Sequence, residues 1–579
     1  MTTVQQKKEI QQAIQAFVDK PLNDAALALF AALGYKSDRT VVIDSVADFC
    51  MQFDPSGLLA HPRAQKSQWQ SIDLLFQLTD EELSRNATLF KDTSVKASLL
   101  QSYVFFAVEL NAGDYARGKL AAITRQINRL FPMPVMVLFK VGGNLSIAVI
   151  NRRQNKRDES KDVLGKVTLI QNISISKPHP GHLDILASFS TAELAARKKP
   201  IGNFDQLHAA WEDVFNVELL NKRFYEELSN WYFWARKKVS FPSDLDDKDT
   251  TRTEEDKEKT RNATSVIRLL TRLIFCWFLK EKDLIPDHLF DQDAIARALN
   301  SVGDDESTYY HAILQNLFFA TLNQPMNADG ESVRQFAVDG AFHENMNQHG
   351  VKTLYRYKKC FRQPDQALGL FEDIPFLNGG LFACLDTEDD SGKVRYADGF
   401  SRNPKKQPIV PNRLFFAEPH IVDLSEDFGD AKKKKASVRG LLHILHGYKF
   451  TIAESTPVEQ EIALDPELLG NVFENLLASY NPETGTNARR QTGSFYTPRP
   501  IVDYMVDESL KAYLADALVK ALPATTAADA KAGLDILFAY TEKEHAFSEA
   551  EIDALITAIN ACNILDPACG SGAYPIHPS

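Results

Sequence analysis

The sequence predicts a multidomain protein that combines α/β modules with an α-helical region. Two patterns support this fold class: short apolar runs alternate with a helical pattern between residues 72 and 150, and helical periodicity dominates from residue 203 onward. The length is a third observation, because a chain of 579 residues is expected to form roughly three or four domains. We expect an α/β module at residues 1–200, a mainly helical middle domain at 201–450, and the start of a second α/β domain within 451–579.

The composition is that of an ordinary globular protein, and it limits the possible partners. Hydrophobic residues make up 44% of the chain and charged residues 25%. The net charge of −12 argues against a protein that coats nucleic acid over its whole surface, although a local basic groove would still bind DNA. The six cysteines include no Cys-x-x-Cys pair, so neither a zinc site nor a disulfide framework is indicated.

Nothing in the sequence indicates a membrane segment or an export signal. Residues Met1–Glu9 are polar and are followed by no long apolar run. The longest apolar stretch, Val266–Leu279, contains Arg268 and Arg272 and is too short to cross a bilayer. Scattered unpaired cysteines are typical of a reducing compartment. We therefore expect a cytoplasmic protein without membrane contacts.

The N-terminal module shows a strand–helix–strand–strand pattern. Val104–Leu110 is typical of a buried strand, and it carries an acid, Glu109, near its end. A basic helix is expected at 116–131, and further strands at 134–139 and 145–150. The basic helix could follow a DNA backbone, although most basic surfaces are simply solvated.

This order of elements resembles the core of the metal-dependent PD-(D/E)xK nucleases. In that family an acid and a Glu-x-Lys motif lie near strand ends, the acids bind Mg²⁺, and the lysine positions or activates water. Asp73 would be the first acid and Glu109 the second, but Asn111 stands at the lysine position and cannot supply the cation. Lys119 on the following helix is one substitute. The favoured alternative is a structural acid, or a nuclease-like module that binds DNA without cleaving it. Mg²⁺ is expected as a cofactor only if the module is an active nuclease.

The middle domain is expected to be helical and to have an aromatic core. Between residues 204 and 238 the aromatic residues fall at helical spacing, which favours core packing over base stacking. Residues 244–261 are almost entirely charged or polar and are expected to form a loop. Thr264 or Ser265 would then cap a helix that runs through Val266–Leu279.

The most specific chemistry is expected near the end of the sequence. Thr497 can cap a helix whose first position suits Pro498, and a second helix is expected to start at Ser548, whose capping box is completed by Glu551. That helix leads into a predicted strand at 563–565 and then into the glycine turn Asp566–Gly572. An acid followed by Gly-x-Gly at a strand end can seat an adenosyl or nucleotide group, because glycine lets the backbone approach the ligand.

Two of these segments resemble motifs of the S-adenosylmethionine-dependent N6-adenine DNA methyltransferases. Asp566–Gly572 is similar to their motif I, and Phe495–Pro498 is similar to motif X, which precedes motif I in this family. The long N-terminal region is similar to single-chain Type IIG restriction–modification enzymes and to phage-exclusion methylases. The resemblance implies a Rossmann-like domain, S-adenosylmethionine as the cofactor and double-stranded DNA as a partner. It implies these cofactor-binding residues: Tyr496, Thr497, Pro498, Asp566, Ala568, Gly570 and Gly572.

The resemblance also implies a role for each segment. Asp566 would hold the methionine ammonium, and the main chain of 568–572 would wrap the cofactor. Thr497 and Pro498, with Tyr496 nearby, would line its methionine or ribose side.

The catalytic motif of that family is missing from the sequence. In the family a flipped adenine stacks on an Asn-Pro-Pro-Tyr motif, but the Asn-Pro pairs here, at 403 and 481, continue with Lys and Glu. No residue can therefore be named for methyl transfer. We expect a truncated piece that binds S-adenosylmethionine weakly or not at all and does not methylate DNA alone. Two alternatives stay open: a non-catalytic DNA-binding or assembly subunit that works with other restriction or defence subunits, and an active Mg²⁺-dependent endonuclease based on Asp73 and Glu109.

Overall fold

The computed structural model describes most of the chain. The described residues are 2–83, 102–151, 166–196, 201–244, 252–324, 334–338, 351–377, 380–388, 393–451, 459–464, 499–539 and 545–565. They form two compact units. The first unit contains the described residues up to Leu220, residues 459–464 and residues 499–565, and the second contains residues 221–451.

The first unit is built around a six-stranded mixed sheet. In spatial order its strands are β1 (Trp69–Thr79), β2 (Ser102–Leu110), β3 (Val135–Val141), β4 (Asn144–Asn151), β5 (Lys166–Ser174) and β10 (Glu459–Glu461). β2 and β3 are parallel, as are β5 and β10, whereas the other neighbouring strands are antiparallel. Its helices in the N-terminal part are α1 (Thr2–Gln15), α2 (Leu22–Ala32), α3 (Val46–Phe53), α4 (Asp80–Leu83), α5 (Arg117–Arg129), α6 (Pro180–Phe189), α7 (Thr191–Ala196) and α8 (Phe204–Val214). The predicted strand–helix–strand–strand order of β2, α5, β3 and β4 is confirmed.

Helices cover both faces of this sheet. One face packs against α1, α2, α6 and α8, and its buried residues include Phe105 and Leu138. The other face packs against α3 and α5, and its buried residues include Phe106 and Val137. Successive residues of a strand point to opposite faces. Alternate residues of β2 and β3 therefore contact different sets of helices.

The edge strand β10 completes the sheet from far along the chain. Its Glu459 Oε1 lies 3.4 Å from the Arg117 Nε on α5. The Gln460 side chain donates hydrogen bonds to the Thr168 Oγ1 and to the Phe215 carbonyl, each at 3.0 Å. The Ile462 N–H donates to the Leu169 carbonyl at 2.9 Å. The three-residue strand β10 is therefore held in the sheet by backbone pairing, by an ion pair and by the two side-chain hydrogen bonds of Gln460.

Helices are the main regular elements among the described residues of the second unit. They are α9 (Val217–Ala235), which begins in the first unit, α10 (Glu254–Lys280), α11 (Gln292–Ala298), a π-helix (Tyr309–Leu322), α12 (Arg413–Phe416), α13 (Ser425–Phe428) and α14 (Leu441–His446). Its short strand pairs are β6 (Thr387–Glu388) with β7 (Val394–Arg395), and β8 (His420–Val422) with β9 (Ala436–Val438). Core packing of the aromatic segment is confirmed, because Trp211, Phe224, Trp231, Tyr232 and Trp234 are buried.

α10 begins earlier than the sequence predicted. Residues 244–261 were expected to form a loop ahead of a cap at Thr264 or Ser265, but the helix already starts at Glu254. The Thr253 side chain is the N-cap and accepts a hydrogen bond from the Asp256 N–H. The acidic first turn, Glu254–Asp256, stabilises the positive end of the helix dipole. The charged segment is thus the solvated first part of a long helix.

The apolar part of α10 is a core element of the second unit. The whole helix Glu254–Lys280 is long and apolar enough to cross a membrane by length and composition, but most of its apolar segment is buried inside the protein. Within it, the Arg272 guanidinium pairs with the Asp398 carboxylate, with Nη1–Oδ1 at 3.1 Å and Nη2–Oδ2 at 3.4 Å. Arg272 also donates to the Leu381 and Ala383 carbonyls. Both charged side chains are only 4% exposed, so this pair ties α10 to the chain around residue 398.

The described residues after 499 form a cluster of three helices, Arg499–Ala521, Ala527–Leu537 and Glu549–Asn560, around Leu514, Leu518, Leu534 and Leu555. The capping box of Ser548 and Glu551 is confirmed, with both reciprocal hydrogen bonds present. The strand predicted at 563–565 is wrong, because these residues are irregular, pair with no strand in the described part of the chain, and leave Leu565 89% exposed. Local apolar character alone is insufficient to form a strand without a neighbour to pair with.

We expect Asp398→Ala to destabilise the second unit by about 3–5 kcal/mol, because it leaves the Arg272 guanidinium buried and uncompensated. Urea unfolding followed by tryptophan fluorescence measures this, since Trp277 lies buried on the same helix. The matched control is Asp365→Ala, which removes the partner of Lys358 from an exposed ion pair and should cost at most about 1 kcal/mol. Equal losses for the two variants would contradict a structural role for the buried pair.

Candidate functional site

Two carboxylates lie on neighbouring strands at one end of the first unit's sheet. Asp73 on β1 is opposite Ala107 on β2, and Glu109 on β2 is opposite Ser71 on β1. The two acids therefore occupy diagonal positions on one face of an antiparallel pair, where Cβ atoms are separated by roughly 7–8 Å. Because Ala107 belongs to the core shared with α1 and α2, both carboxylates project toward that side of the sheet.

A lysine on the third strand completes a row of charged groups. Lys140 on β3 is directly opposite Glu109 in the parallel register, and its Nζ lies 2.9 Å from the Glu109 Oε1. Both side chains are partly exposed, Lys140 at 18% and Glu109 at 28%, so the pair borders solvent. Asp73, Glu109 and Lys140 thus lie on three consecutive strands and face the same way. We call these three residues the acid–lysine row.

The environment of Asp73 opposes its ionisation. Partial burial raises the pKa of the Asp73 carboxyl above its ordinary value, and the neighbouring Glu109 charge raises that pKa further. A hydrogen bond from the Asn23 Nδ2 on α2 to the Asp73 Oδ1, 3.3 Å long, lowers the pKa and partly offsets these effects. Two like charges held close together on a protein surface would be relieved by a bound cation.

Asn111 does not join the acid–lysine row. Its Oδ1 accepts a hydrogen bond from the Gln70 Nε2 at 3.1 Å, and its N–H donates to the Gln68 carbonyl at 2.8 Å. These contacts tie the end of β2 to the chain at the start of β1. The residue at the position of the nuclease lysine therefore has a structural part in this fold.

The basic helix α5 lies on the opposite face of the sheet from the acid–lysine row. Its Ile123 and Ile127 pack with Phe106 and Val137. Lys119 donates from its Nζ to the Asp114 carbonyl at 3.1 Å, and Arg117 is buried against Glu459. Lys119 as a substitute for the missing lysine is therefore wrong, because the sheet separates it from the two acids.

Lys140 was not predicted as a site residue, although its position at the end of an apolar run indicates one. Lys140 ends the apolar run 135–139 just as Glu109 follows the run 104–108, and a helix connects the two strands. Strands joined by such a helical crossover are parallel, so their ends meet at the same edge of the sheet. A comparison of the two strand ends would have placed the lysine beside the acid.

The acid–lysine row offers two carboxylates as metal ligands. Among the described residues no group of three or more His, Cys, Asp and Glu side chains is arranged around a common point. Mg²⁺ is commonly held by one or two carboxylates, with water and substrate phosphates at its remaining positions. Asp73 and Glu109 fit that kind of site, in which the substrate supplies part of the coordination shell.

The predicted cofactor-binding residues lie outside the described residues. These are Tyr496, Thr497, Pro498, Asp566, Ala568, Gly570 and Gly572. The helix predicted after Pro498 is present and runs from Arg499 to Ala521.

Comparison with known proteins relates the chain to restriction–modification enzymes. It is 25% identical over 312 residues to the "Putative type II restriction enzyme and methyltransferase RM.MjaORFECS2P" of Methanocaldococcus jannaschii. The similarity covers 54% of this chain and 20% of that protein, so the chain matches about a fifth of the length of its relative. No family model matches the chain, and no solved structure matches it. The predicted relationship to restriction–modification proteins is thus supported by a distant relative.

We expect Asp73→Asn to raise the midpoint of thermal unfolding at about pH 7.5, because the amide removes a carboxylate whose ionisation is opposed by its surroundings. The raised pKa means that the folded state binds the Asp73 proton more tightly than the unfolded state. The proton's contribution to stability is therefore complete below the unfolded pKa and is lost as the pH rises through the folded pKa.

The gain from Asp73→Asn should consequently shrink in acid, where the wild-type carboxyl is protonated in both states. Calorimetric unfolding across this pH range measures the trend, with Asp114→Asn as the matched control on an exposed acid. A stability loss at neutral pH would show that the Asp73 charge is a structural requirement.

Proposed function

We propose that the chain belongs to a restriction–modification protein that acts on double-stranded DNA, and that it contributes the cofactor-binding part of an adenine-N6 methyltransferase. The observation that carries the proposal is the ordered pair of motifs, Phe495–Pro498 followed by Asp566–Gly572. Their order and spacing suit a methyltransferase that uses S-adenosylmethionine. The distant relative, whose name includes both a restriction enzyme and a methyltransferase, supports the same class.

Each motif residue has a definite task in this proposal. The Asp566 carboxylate would accept hydrogen bonds from the methionine ammonium, a charge-assisted contact of the stronger kind. Gly570 and Gly572 would let main-chain N–H groups approach the cofactor, which a side chain at either position would obstruct. Thr497 and Pro498 would border the methionine or ribose, directly before the helix that starts at Arg499. When bound, S-adenosylmethionine supplies an activated methyl group for transfer.

Adenine as the target base rests on the family resemblance of these motifs. The Asn-Pro-Pro-Tyr segment that holds the extruded adenine in that family does not occur among the 579 residues. The two motifs would therefore hold the cofactor, and we assign no residue of the sequence to the base. We place the protein in the cytoplasm, where its DNA substrate and any other restriction or defence subunits would be found.

We expect this chain to bind S-adenosylmethionine weakly, and we expect Asp566→Ala to reduce the affinity at least about tenfold, which corresponds to about 1.4 kcal/mol. Saturation-transfer NMR is suitable because it detects weak ligands. Asp553→Ala is the matched control, since Asp553 is an exposed acid on the helix Glu549–Asn560. Absence of a saturation signal with wild-type protein, or equal signals for wild type and Asp566→Ala, would reject the proposed cofactor site.

A second candidate function, a Mg²⁺-dependent DNA endonuclease, is favoured by the acid–lysine row. Asp73 and Glu109 would hold the metal ion, which supplies charge stabilisation for phosphodiester hydrolysis. The chain's own contribution is to fix two carboxylates on a rigid pair of strands at the open end of a covered sheet face. Rigid elements hold such groups more precisely than loops do.

We expect the wild-type chain to bind Mn²⁺, used as a probe for Mg²⁺, and Glu109→Gln to lose at least about tenfold in affinity, since a neutral amide removes one anionic ligand. Isothermal titration calorimetry measures the affinity. Glu193→Gln on α7 is the control, because it removes one acid remote in sequence from the row. Wild-type protein that shows no Mn²⁺ binding would remove the second candidate without affecting the first.

A further inference from the structure

Lys140 lies at the solvent border beside Glu109 and on the same face of the sheet as Asp73. An ion pair at the solvent border stabilises a fold by at most about 1 kcal/mol, and the Lys140–Glu109 pair is of this kind. The pair also places a cation beside one of the two acids best suited to hold a metal ion. Cross-strand pairing with Glu109 already gives Lys140 a structural role, so a chemical role has to rest on its position relative to both acids.

The orientation of β3 brings Lys140 to the same edge as the acids. Glu109 and Lys140 are paired residues of parallel strands, and Asp73 lies on the strand at the other side of β2. All three side chains project from the face that packs against α1 and α2, as the alternation along each strand requires. A phosphate that bridged to a cation on Asp73 and Glu109 would therefore lie within the reach of a long, flexible lysine side chain.

We propose that Lys140 is the catalytic cation of this site, and that it acts from the strand next to the one that carries Glu109. The proposal rests on the second candidate function. In the resting protein Lys140 neutralises the Glu109 Oε1, and with DNA present its ammonium donates a hydrogen bond to a non-bridging oxygen of the scissile phosphate. Asn111, at the usual lysine position, is then free to serve the structural contacts with Gln68 and Gln70.

The reaction that Lys140 would assist is hydrolysis of a phosphodiester. A water oxygen forms a bond to phosphorus, the bond between phosphorus and the leaving ester oxygen breaks, and that oxygen takes a proton from solvent while the attacking water releases one. The Lys140 ammonium stabilises the negative charge that gathers on the phosphate oxygens. Removing one such preorganised donor from an active site typically slows a reaction by about 100-fold or more.

The experiment uses the 579-residue chain with four variants: Lys140→Met, Lys140→Arg, Glu109→Gln and Lys119→Met. Lys119→Met is the matched control, because Lys119 is a lysine of the same unit on the opposite face of the sheet. Two quantities are measured: Mn²⁺ affinity by calorimetry, and the rate of Mg²⁺-dependent cleavage of unmethylated bacteriophage DNA. Thermal unfolding confirms that each variant is folded.

We expect Lys140→Met to cleave DNA about 100-fold more slowly than wild type while binding Mn²⁺ at least as tightly, because the competing cation next to Glu109 is gone. Lys140→Arg should retain part of the activity, since its guanidinium also donates to phosphate. Lys119→Met should equal wild type in both measurements. A purely structural lysine would not separate metal binding from cleavage in this way.

Three results would overturn the assignment, and they have different meanings. If wild type binds Mn²⁺ and cleaves DNA but Lys140→Met cleaves at a similar rate, only the role of Lys140 fails. If Lys140→Met weakens Mn²⁺ binding as much as Glu109→Gln does, Lys140 organises the ligands and does not contact phosphate. If wild type binds Mn²⁺ but cleaves no DNA, or binds no Mn²⁺ at all, the endonuclease candidate fails together with the role of Lys140, and the pair is structural.

Discussion

The parallel pairing of β2 with β3 decides where the chemistry of the first unit lies. A strand that follows a helical crossover runs in the same direction as the strand before it, so both end at one edge of the sheet. In this protein that geometry places Glu109 and Lys140 side by side, while the crossover helix α5 covers the other face. The antiparallel neighbour β1 adds Asp73 at the same edge. The three charged residues are far apart in the sequence, and the β2–β3 register is what brings Lys140 close to the two acids in space.

Much of the first unit was predictable because its strands are continuous apolar runs. Val104–Leu110 and the run at 134–139 need no partner information to be recognised, and α5 has a clear amphipathic pattern. What the sequence does not state is which strand ends become neighbours. Glu109 could be singled out as an acid at the end of a strand, whereas Lys140 acquired its meaning only from the register. Lys119 was one substitute that the sequence allowed, and only the placement of its helix on the far face excludes it.

The start of α10 and the absence of a strand at 563–565 have opposite physical causes. Residues 254–261 were expected to form a loop because they are charged, yet charge on the solvated first turns of a helix is favourable when a cap such as Thr253 is present. Residues 563–565 were expected to form a strand because they are apolar, yet strand formation requires a paired neighbour. The composition of a segment indicates whether it is exposed, whereas its secondary structure also depends on the residues that cap it or the strand that pairs with it. The motifs proposed to bind the cofactor remain predictions from the residues themselves.

The edge strand β10 has a consequence for the order in which the protein can fold. β5 and β10 are neighbours in the sheet, but the whole second unit lies between them in the chain. On the ribosome, the sheet of the first unit must therefore wait for the second unit to be synthesised before its last strand can pair. Until then the edge of β5 presents unpaired backbone groups, which is the condition under which nascent sheets associate with other chains. The second unit thus delays the completion of the first unit's sheet. A fragment that ended at residue 200 would lack β10 and would keep the edge of β5 unpaired.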